Sequence, residues 1–205
     1  MYKRDDHMSN NIGNLNFDEE NLVLHSDRNI YCESFYFMDA YDDTLLKKFI
    51  KSTEKLVRGS KEYKKYIELL RTNITALNYD SVMSNISDND AALEFHHYPL
   101  TLYDNIEVLV MSHLINKDKI TTFSVAKEIM EAHFNNEIGL VSLSKTNHEL
   151  AHLNSIFINK NQIYGKYKDF IEKHKQGVSL DLLEKVDRME KMSDANVATD
   201  FKGIL

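Results

Sequence analysis

Residues 138–152, with the sequence IGLVSLSKTNHELAH, constrain the fold of this chain more than any other stretch. The run IGLVSL is apolar and β-branched and predicts a strand over 138–143. After Ser144, the eight residues KTNHELAH (145–152) predict the opening turns of a helix. On that helix His148 and His152 are four residues apart, so their imidazoles share one face, at the spacing needed to bind one metal ion. We therefore expect a strand that runs directly into a histidine-bearing helix.

A second histidine pair lies upstream, directly after the segment AALEF (91–95), for which we expect a short strand. His96 and His97 are neighbours, and neighbouring side chains of a regular strand point to opposite faces. Both can reach one site only where the strand ends, and Pro99, the only proline, is consistent with such an ending. A catalytic metal site needs three protein ligands and an open position. The upstream pair is therefore a candidate to complete the downstream one.

Most of the remaining chain has helical periodicity, and its fold class is α+β, predominantly helical. Helices are predicted at 44–58, 60–70, 101–113, 123–134, 162–174 and 179–192, and short strands at 21–25 and 155–158. The pattern divides the chain into an irregular lead-in (1–40), a basic helical pair (41–75), a core around the histidine pairs (90–175, with a helical insertion at about 101–134) and a C-terminal helix (178–193).

Charge is unevenly distributed along the chain. The net charge is −7, yet residues 47–71 contain nine Lys or Arg against three Glu, which leaves −13 for the remainder. Such asymmetry is typical of an anion-binding face on an acidic protein, although a solvated helix surface has the same pattern. The candidate nucleic-acid-binding residues are Lys47, Lys48, Lys51, Lys55, Lys64 and Lys65.

The cysteine content and the hydropathy pattern bound the setting of the protein. The single cysteine, Cys32, excludes an internal disulfide framework and any zinc site built from several thiolates, and it favours a reducing cytoplasm. The longest apolar run, VLVM at 108–111, is too short to cross a membrane. The first residues lack the apolar segment of a secretory signal. We expect no membrane partner.

The order strand, His-His, connection, strand and helix with His-x-x-x-His resembles the HNH or ββα-metal nucleases, and its histidine content is similar to that of the colicin-type DNases. Residues 92–171 also resemble HNH-like proteins of tailed bacteriophages. The resemblance implies a small ββα-metal core with added helices. It implies that His96, His148 and His152 bind one divalent ion (Mg²⁺, Mn²⁺, Zn²⁺ or Ni²⁺). His97 would be the general base that activates water for attack on a phosphodiester.

The resemblance also implies a partner and a location. The substrate would be nucleic acid, in the first instance DNA, and a phage-encoded enzyme would act in the host cytoplasm. One position departs from the HNH pattern, because Gly139 stands where these nucleases usually carry an asparagine that helps to orient the base. This departure favours a second hypothesis, a non-catalytic phage accessory or binding protein on an HNH-like fold. Its protein partner would contact an apolar patch on the C-terminal helix.

The sequence HELAH also matches the H-E-x-x-H motif of zinc peptidases. In that alternative His148 and His152 bind zinc, Glu149 is the general base and Glu172 is the third ligand. However, the motif of those peptidases lies inside a helix, whereas SLSKTN before HELAH indicates a strand end and a helix start. The alternative also leaves the upstream histidine pair unexplained. Metal-dependent hydrolysis of nucleic acid is therefore the leading prediction.

Overall fold

The computed structural model describes residues 32–202, with side chains as far as Ala195, and this part of the chain is mostly helical. The α-helices are α1 (Asp43–Gly59), α2 (Lys61–Asn73), α3 (Leu102–Ile115), α4 (Thr122–Phe134), α5 (Lys145–His152), α6 (Tyr167–Lys173) and α7 (Leu180–Lys202). Two small antiparallel sheets pair β1 (Ser34–Phe35) with β3 (Ile120–Thr121), and β2 (Leu93–His97) with β4 (Leu140–Ser144). The predicted α+β class is confirmed.

Helices α1, α3 and α4 pack against one another and form the centre of the core. Asp42 caps the N-terminus of α1: its carboxylate accepts hydrogen bonds from the backbone N–H groups of Thr44 and Leu45 and so satisfies two unpaired donors of the first turn. Each helix buries one apolar face. The largest contributions to the core come from Phe49, Ile50, Leu56 and Val57 of α1, Leu102, Ile106 and Leu109 of α3, and Val125, Ile129 and Met130 of α4.

Both faces of the β2–β4 sheet are covered. All five residues of β4 are buried, as expected for a strand with packing on both sides. In the register of the sheet His96 lies opposite Val141, and Val141 packs together with Leu143 and with Ala151 of α5. Helix α5 therefore covers the face of β2 that carries His96.

The opposite face of the sheet is covered by α2 and α4. The ring of Tyr63 from α2 stacks on the ring of His97, with centroids 6.2 Å apart. The ring of His133 from α4 meets His97 edge-on at 5.3 Å. The sheet thus separates α5 from α2 and α4, and this arrangement decides which histidines can meet.

Two of the predicted elements are wrong. Residues 155–158 form no strand; Ile158 is buried against Val141 and β4, so its apolar character reflects packing and not strand pairing. The helix predicted for 162–174 begins only at Tyr167, because Tyr164 pairs with Leu140 and extends the edge of β4 instead.

The sequence predicts an irregular lead-in over 1–40, but the end of this segment contains regular secondary structure. Its last residues contain β1 and a 3₁₀ helix at Phe37–Tyr41. The backbone N–H of Thr122 donates to the carbonyl of Glu33 at 3.0 Å, which ties this segment to α4. The strand predicted at 21–25 lies outside the described residues.

Candidate metal centre

Three histidines converge beside the junction of β4 and α5. One ring nitrogen from each of His96, His148 and His152 lies within 4.8 Å of the other two. Nε2 of His148 is 3.1 Å from Nε2 of His152, because the two residues stand one helical turn apart on α5. His96 is buried, His148 is half-buried and His152 is exposed, so one side of the cluster is open to solvent. The structure brings together the three residues that the sequence suggested as metal ligands.

Glu94 orients the central ring of this cluster. Its carboxylate accepts a hydrogen bond from Nδ1 of His148. With the proton on Nδ1, a neutral His148 directs the lone pair of Nε2 toward His152. A carboxylate behind a ligating imidazole is a common arrangement at protein metal sites. Sequence reasoning missed Glu94, although its place two residues before His96 puts both side chains on the same face of β2.

His96 is held in the neutral form that metal binding requires. Its pKa is lowered to about 4, first by burial and then by the neighbouring rings of His148 and His152. The positive charges of Lys185 and Arg58 make smaller contributions in the same direction. At neutral pH this ring therefore carries one unprotonated nitrogen.

Asp80 fixes the start of α5. One oxygen of its buried carboxylate accepts hydrogen bonds from the backbone N–H of Ser144 at 2.7 Å and from the side-chain amide of Asn147 at 2.8 Å. The other oxygen accepts from the backbone N–H groups of Val82 and Met83, both at 2.8 Å. Burial alone would raise the pKa of Asp80, but these hydrogen bonds outweigh it and lower the pKa. No sequence pattern indicates this contact, because residues 80 and 144 meet only in the tertiary structure.

His97 lies outside the cluster. β2 continues as a regular strand through His97, so His96 and His97 point to opposite faces. Nε2 of His97 is 3.1 Å from Nε2 of His133, and Nδ1 of His133 donates to the carbonyl of Ile129 at 2.7 Å. Burial is the main cause that lowers the pKa of both rings. The expectation that His97 meets the ligands as their base must be corrected, because the strand does not end before this residue.

Gly139 leaves no room for the asparagine of the HNH pattern. A Cβ at this position would lie 2.1 Å from the carbonyl oxygen of Tyr98 and 3.2 Å from Cγ2 of Ile163. The backbone N–H of Tyr98 also donates to the carbonyl of Gly139 at 3.1 Å. The glycine is therefore required by the close approach of two backbone segments just beyond the paired strands.

The six lysines predicted to bind nucleic acid are all exposed, four on α1 and two on α2. Helix α2 lies on the face of β2 that is opposite to the histidine cluster. There Arg71 donates to the carbonyl of Leu93 at 2.7 Å and its guanidinium lies over the ring of Phe95. The six exposed lysines on the two helices are Lys47, Lys48, Lys51, Lys55, Lys64 and Lys65.

The additional ligand required by the peptidase hypothesis is not near the histidines. Glu172 lies on α6, exposed, with its carboxylate 3.5 Å from Nζ of Lys175. The third member of the cluster is His96, a residue that the peptidase motif does not use. Glu149 is exposed on α5.

The apolar stripe of α7 is used within the chain. Leu182, Val186 and Met189 belong to the core, so the patch that was expected to contact a partner covers this domain instead. Nζ of Lys185 lies 3.0 Å from the Asp104 carboxylate of α3. Over residues 180–195, where the side chains of this helix are described, the exposed large apolar residues are Leu180, Leu183 and Met192.

The chain matches the model of a protein family described as bacteriophage G278-like virion protein over residues 1–203, and it therefore belongs to this family of phage virion proteins. The phage origin expected from the resemblance is confirmed. No curated protein and no solved structure matches the chain significantly. In the part of the chain that the structure describes, none of the helices has the length and apolar character needed to cross a bilayer.

Proposed function

We propose that this virion protein binds one divalent transition-metal ion through His96, His148 and His152 and hydrolyses phosphodiester bonds in nucleic acid, as HNH-like nucleases do. The observation that carries the proposal is the convergence of three imidazoles beside a strand–helix junction. Two antiparallel strands followed directly by a helix provide a ββα frame for them. His96 comes from β2, and His148 and His152 come from α5. The pairing of β2 with β4 and the hydrogen bonds of Asp80 at the start of α5 keep these two elements side by side.

The spacing of His148 and His152 fits a shared metal ion, and one ring nitrogen of His96 lies within 4.8 Å of theirs. In a tetrahedral zinc site with Zn–N bonds of about 2.0–2.1 Å, two ligand nitrogens are about 3.3 Å apart. The observed Nε2–Nε2 distance between His148 and His152 is 3.1 Å. An all-imidazole ligand set suits Zn²⁺ and Ni²⁺, whereas Mg²⁺ and Mn²⁺ prefer oxygen ligands. Among the four metals expected from the sequence, we therefore propose Zn²⁺ or Ni²⁺.

Three protein ligands leave a position for water or substrate. A divalent ion bound here would polarise the phosphodiester and bring the pKa of a water molecule near 7. The residues of the chain supply the geometry: Glu94 sets the tautomer of His148, and burial keeps His96 neutral. His97 has no part in this proposal, because its ring is buried on the other face of β2.

A second candidate is a non-catalytic virion component whose metal ion stabilises the fold. Two observations favour it. His97, the base expected from the HNH resemblance, is engaged with His133, and the position of the HNH asparagine is a glycine without room for a side chain. Binding of an ion by three pre-positioned ligands would stabilise the native state whether or not any substrate is cleaved.

The test combines metal titration with nuclease assays on the same preparations. Metal-stripped protein is titrated calorimetrically with Zn²⁺ and Ni²⁺, and nicking of supercoiled plasmid and cleavage of single-stranded RNA are then measured. The double variant His148→Ala/His152→Ala should lose both binding and cleavage. The control His174→Ala, which removes a histidine that packs on Phe170 of α6, should lose neither.

Each result has a definite meaning. One equivalent of metal and cleavage that depends on the histidines would support the nuclease. Metal binding without cleavage of either nucleic acid would favour the second candidate, and absence of metal binding would refute both. A further variant, His97→Gln, should cleave at the rate of the wild type per folded molecule. Loss of cleavage with metal binding intact would instead restore His97 as the base.

A further inference from the structure

We propose that the α1 basic face, defined as Lys47, Lys51 and Lys55, binds the phosphate backbone of nucleic acid independently of the metal centre. The three lysines follow one another at intervals of four residues, so they lie along one side of the helix. Their separation is about 6 Å per step and about 12 Å in all. Along a duplex that distance covers three to four phosphates of one strand, at about 3.4 Å each.

The positive charges of this face are available to a ligand. In the described part of the chain Lys51 and Lys55 make no ion pair, and all three lysines are exposed. The one carboxylate between them in sequence, that of Glu54, accepts two hydrogen bonds from the guanidinium of Arg58, at 3.0 and 2.9 Å. Glu107 of α3 lies close enough to Lys47 for the two charges to interact. Because the protein as a whole carries a net charge of −7, a face on which Lys51 and Lys55 have no acidic partner within the described residues is a local exception that favours an anionic partner.

The chemistry of the face favours a nucleic-acid backbone over a protein or a membrane. Over residues 47–58, none of the large apolar side chains is exposed; they are buried on the opposite side of α1, and the exposed Leu45 precedes the first of the three lysines. Protein interfaces need an apolar centre, and surface-bound membrane helices need an apolar face to insert. Evenly spaced lysines without such a centre supply only the sequence-independent charge contacts that phosphates require.

The placement of α1 makes this surface separate from the metal centre. α1 packs on α4, and α4 contacts the His97 face of β2 through His133, whereas the three-histidine cluster lies on the other face. A backbone bound along α1 therefore requires neither the metal ion nor its ligands. A protein of the phage particle that holds nucleic acid in this way would retain binding even if the metal centre cleaved nothing.

The experiment measures fluorescence anisotropy of a labelled 20-base-pair duplex with the full chain in EDTA, between 50 and 200 mM salt. The test variant is Lys47→Gln/Lys51→Gln/Lys55→Gln. The control carries the same change in net charge through Lys168→Gln/Lys173→Gln/Lys191→Gln, three exposed lysines that already pair with acids on their own or neighbouring elements. Circular dichroism and urea unfolding verify that both variants are folded.

We expect the wild type to bind in EDTA, with an affinity that falls steeply with salt. The α1 variant should bind at least tenfold more weakly, and its log–log salt slope should decrease by about 2.7, since each phosphate contact contributes about 0.9. The control and the His148→Ala/His152→Ala variant should bind like the wild type.

Two outcomes would overturn the inference: no binding by the wild type in EDTA at 50 mM salt, or equal weakening in both lysine variants. Failure of the proposed nuclease function would give a different result from either of these outcomes, because binding is measured in EDTA and without cleavage. If no nuclease activity is found while binding in EDTA persists and depends on α1, the inference holds without the enzyme. If cleavage occurs but binding of the duplex requires metal, the nuclease proposal is supported and the inference about the α1 basic face is refuted.

Discussion

Replacement of Asp80 by alanine should destabilise the protein through the junction that carries two of the metal ligands. The substitution leaves two buried donors without a partner, the backbone N–H of Ser144 and the side-chain amide of Asn147. An unsatisfied buried donor costs about 1–3 kcal/mol, so the two together should cost about 4 kcal/mol. The N–H groups of Val82 and Met83 lie in a partly buried loop, where water can replace the carboxylate at little cost.

The assay is equilibrium unfolding in urea of the metal-free protein, with Asp90→Ala as the matched control. Asp90 lies in the same loop and accepts hydrogen bonds from the backbone N–H and the hydroxyl of Ser87, but it is exposed. Its replacement should change the free energy of unfolding far less than that of Asp80. Equal losses in the two variants would refute the reasoning, because they would show that the buried donors at the start of α5 do not determine the cost.

Three further predictions concern the sheet, the buried histidines and the metal centre. Gly139→Ala should lower the free energy of unfolding in urea by at least about 1–3 kcal/mol, because its Cβ would meet the Tyr98 carbonyl oxygen at 2.1 Å; an unchanged midpoint would show that the backbone yields. Burial lowers the pKa of His133 from 6.5 to about 4, so the unfolded chain binds more protons in that window. The contribution of His133 to the free energy of unfolding should therefore be fully present above pH 6.5 and fall by about 3 kcal/mol as the pH drops to 4. Measured by urea unfolding, the His133→Gln variant should lose less stability over this range than the wild type does. Glu94→Ala should weaken Zn²⁺ binding about 10- to 100-fold in calorimetry, because His148 loses the carboxylate that orients it; unaltered affinity would show that the contact does not position the ring.

The sequence predicts part of the candidate site, namely the contacts between residues that are close together along the chain. His148 and His152 were paired correctly because their spacing within one helix places both rings on one face. Inclusion of His96 required a strand beside that helix, which the apolar run before HELAH suggested. The position of His97 depended on whether β2 ended one residue earlier, and the sequence does not specify that boundary. Its partner, His133, is 36 residues away on another helix.

The same division applies to the elements of the fold. Sequence signals located most helices. At the start of α3, Thr101 and Asp104 exchange hydrogen bonds in a capping box, a contact that depends only on residues three apart. The sequence signals failed at 155–158, where apolar residues serve packing without strand pairing. Burial and strand formation both select apolar residues, so composition alone cannot separate them in so short a segment.

The sequence by itself determined the features that depend on neighbours along the chain: the helical periodicity, the caps, the strand that enters α5 and the spacing of His148 and His152. Tertiary structure alone decided which face of β2 each side chain occupies, that Glu94 and Asp80 support the histidine cluster, and that α2 packs on the face of β2 opposite to that cluster. Periodicity and capping act over three or four residues, whereas the pairing of β2 with β4 and the packing of α2 and α4 against that sheet depend on how distant segments fill a common core.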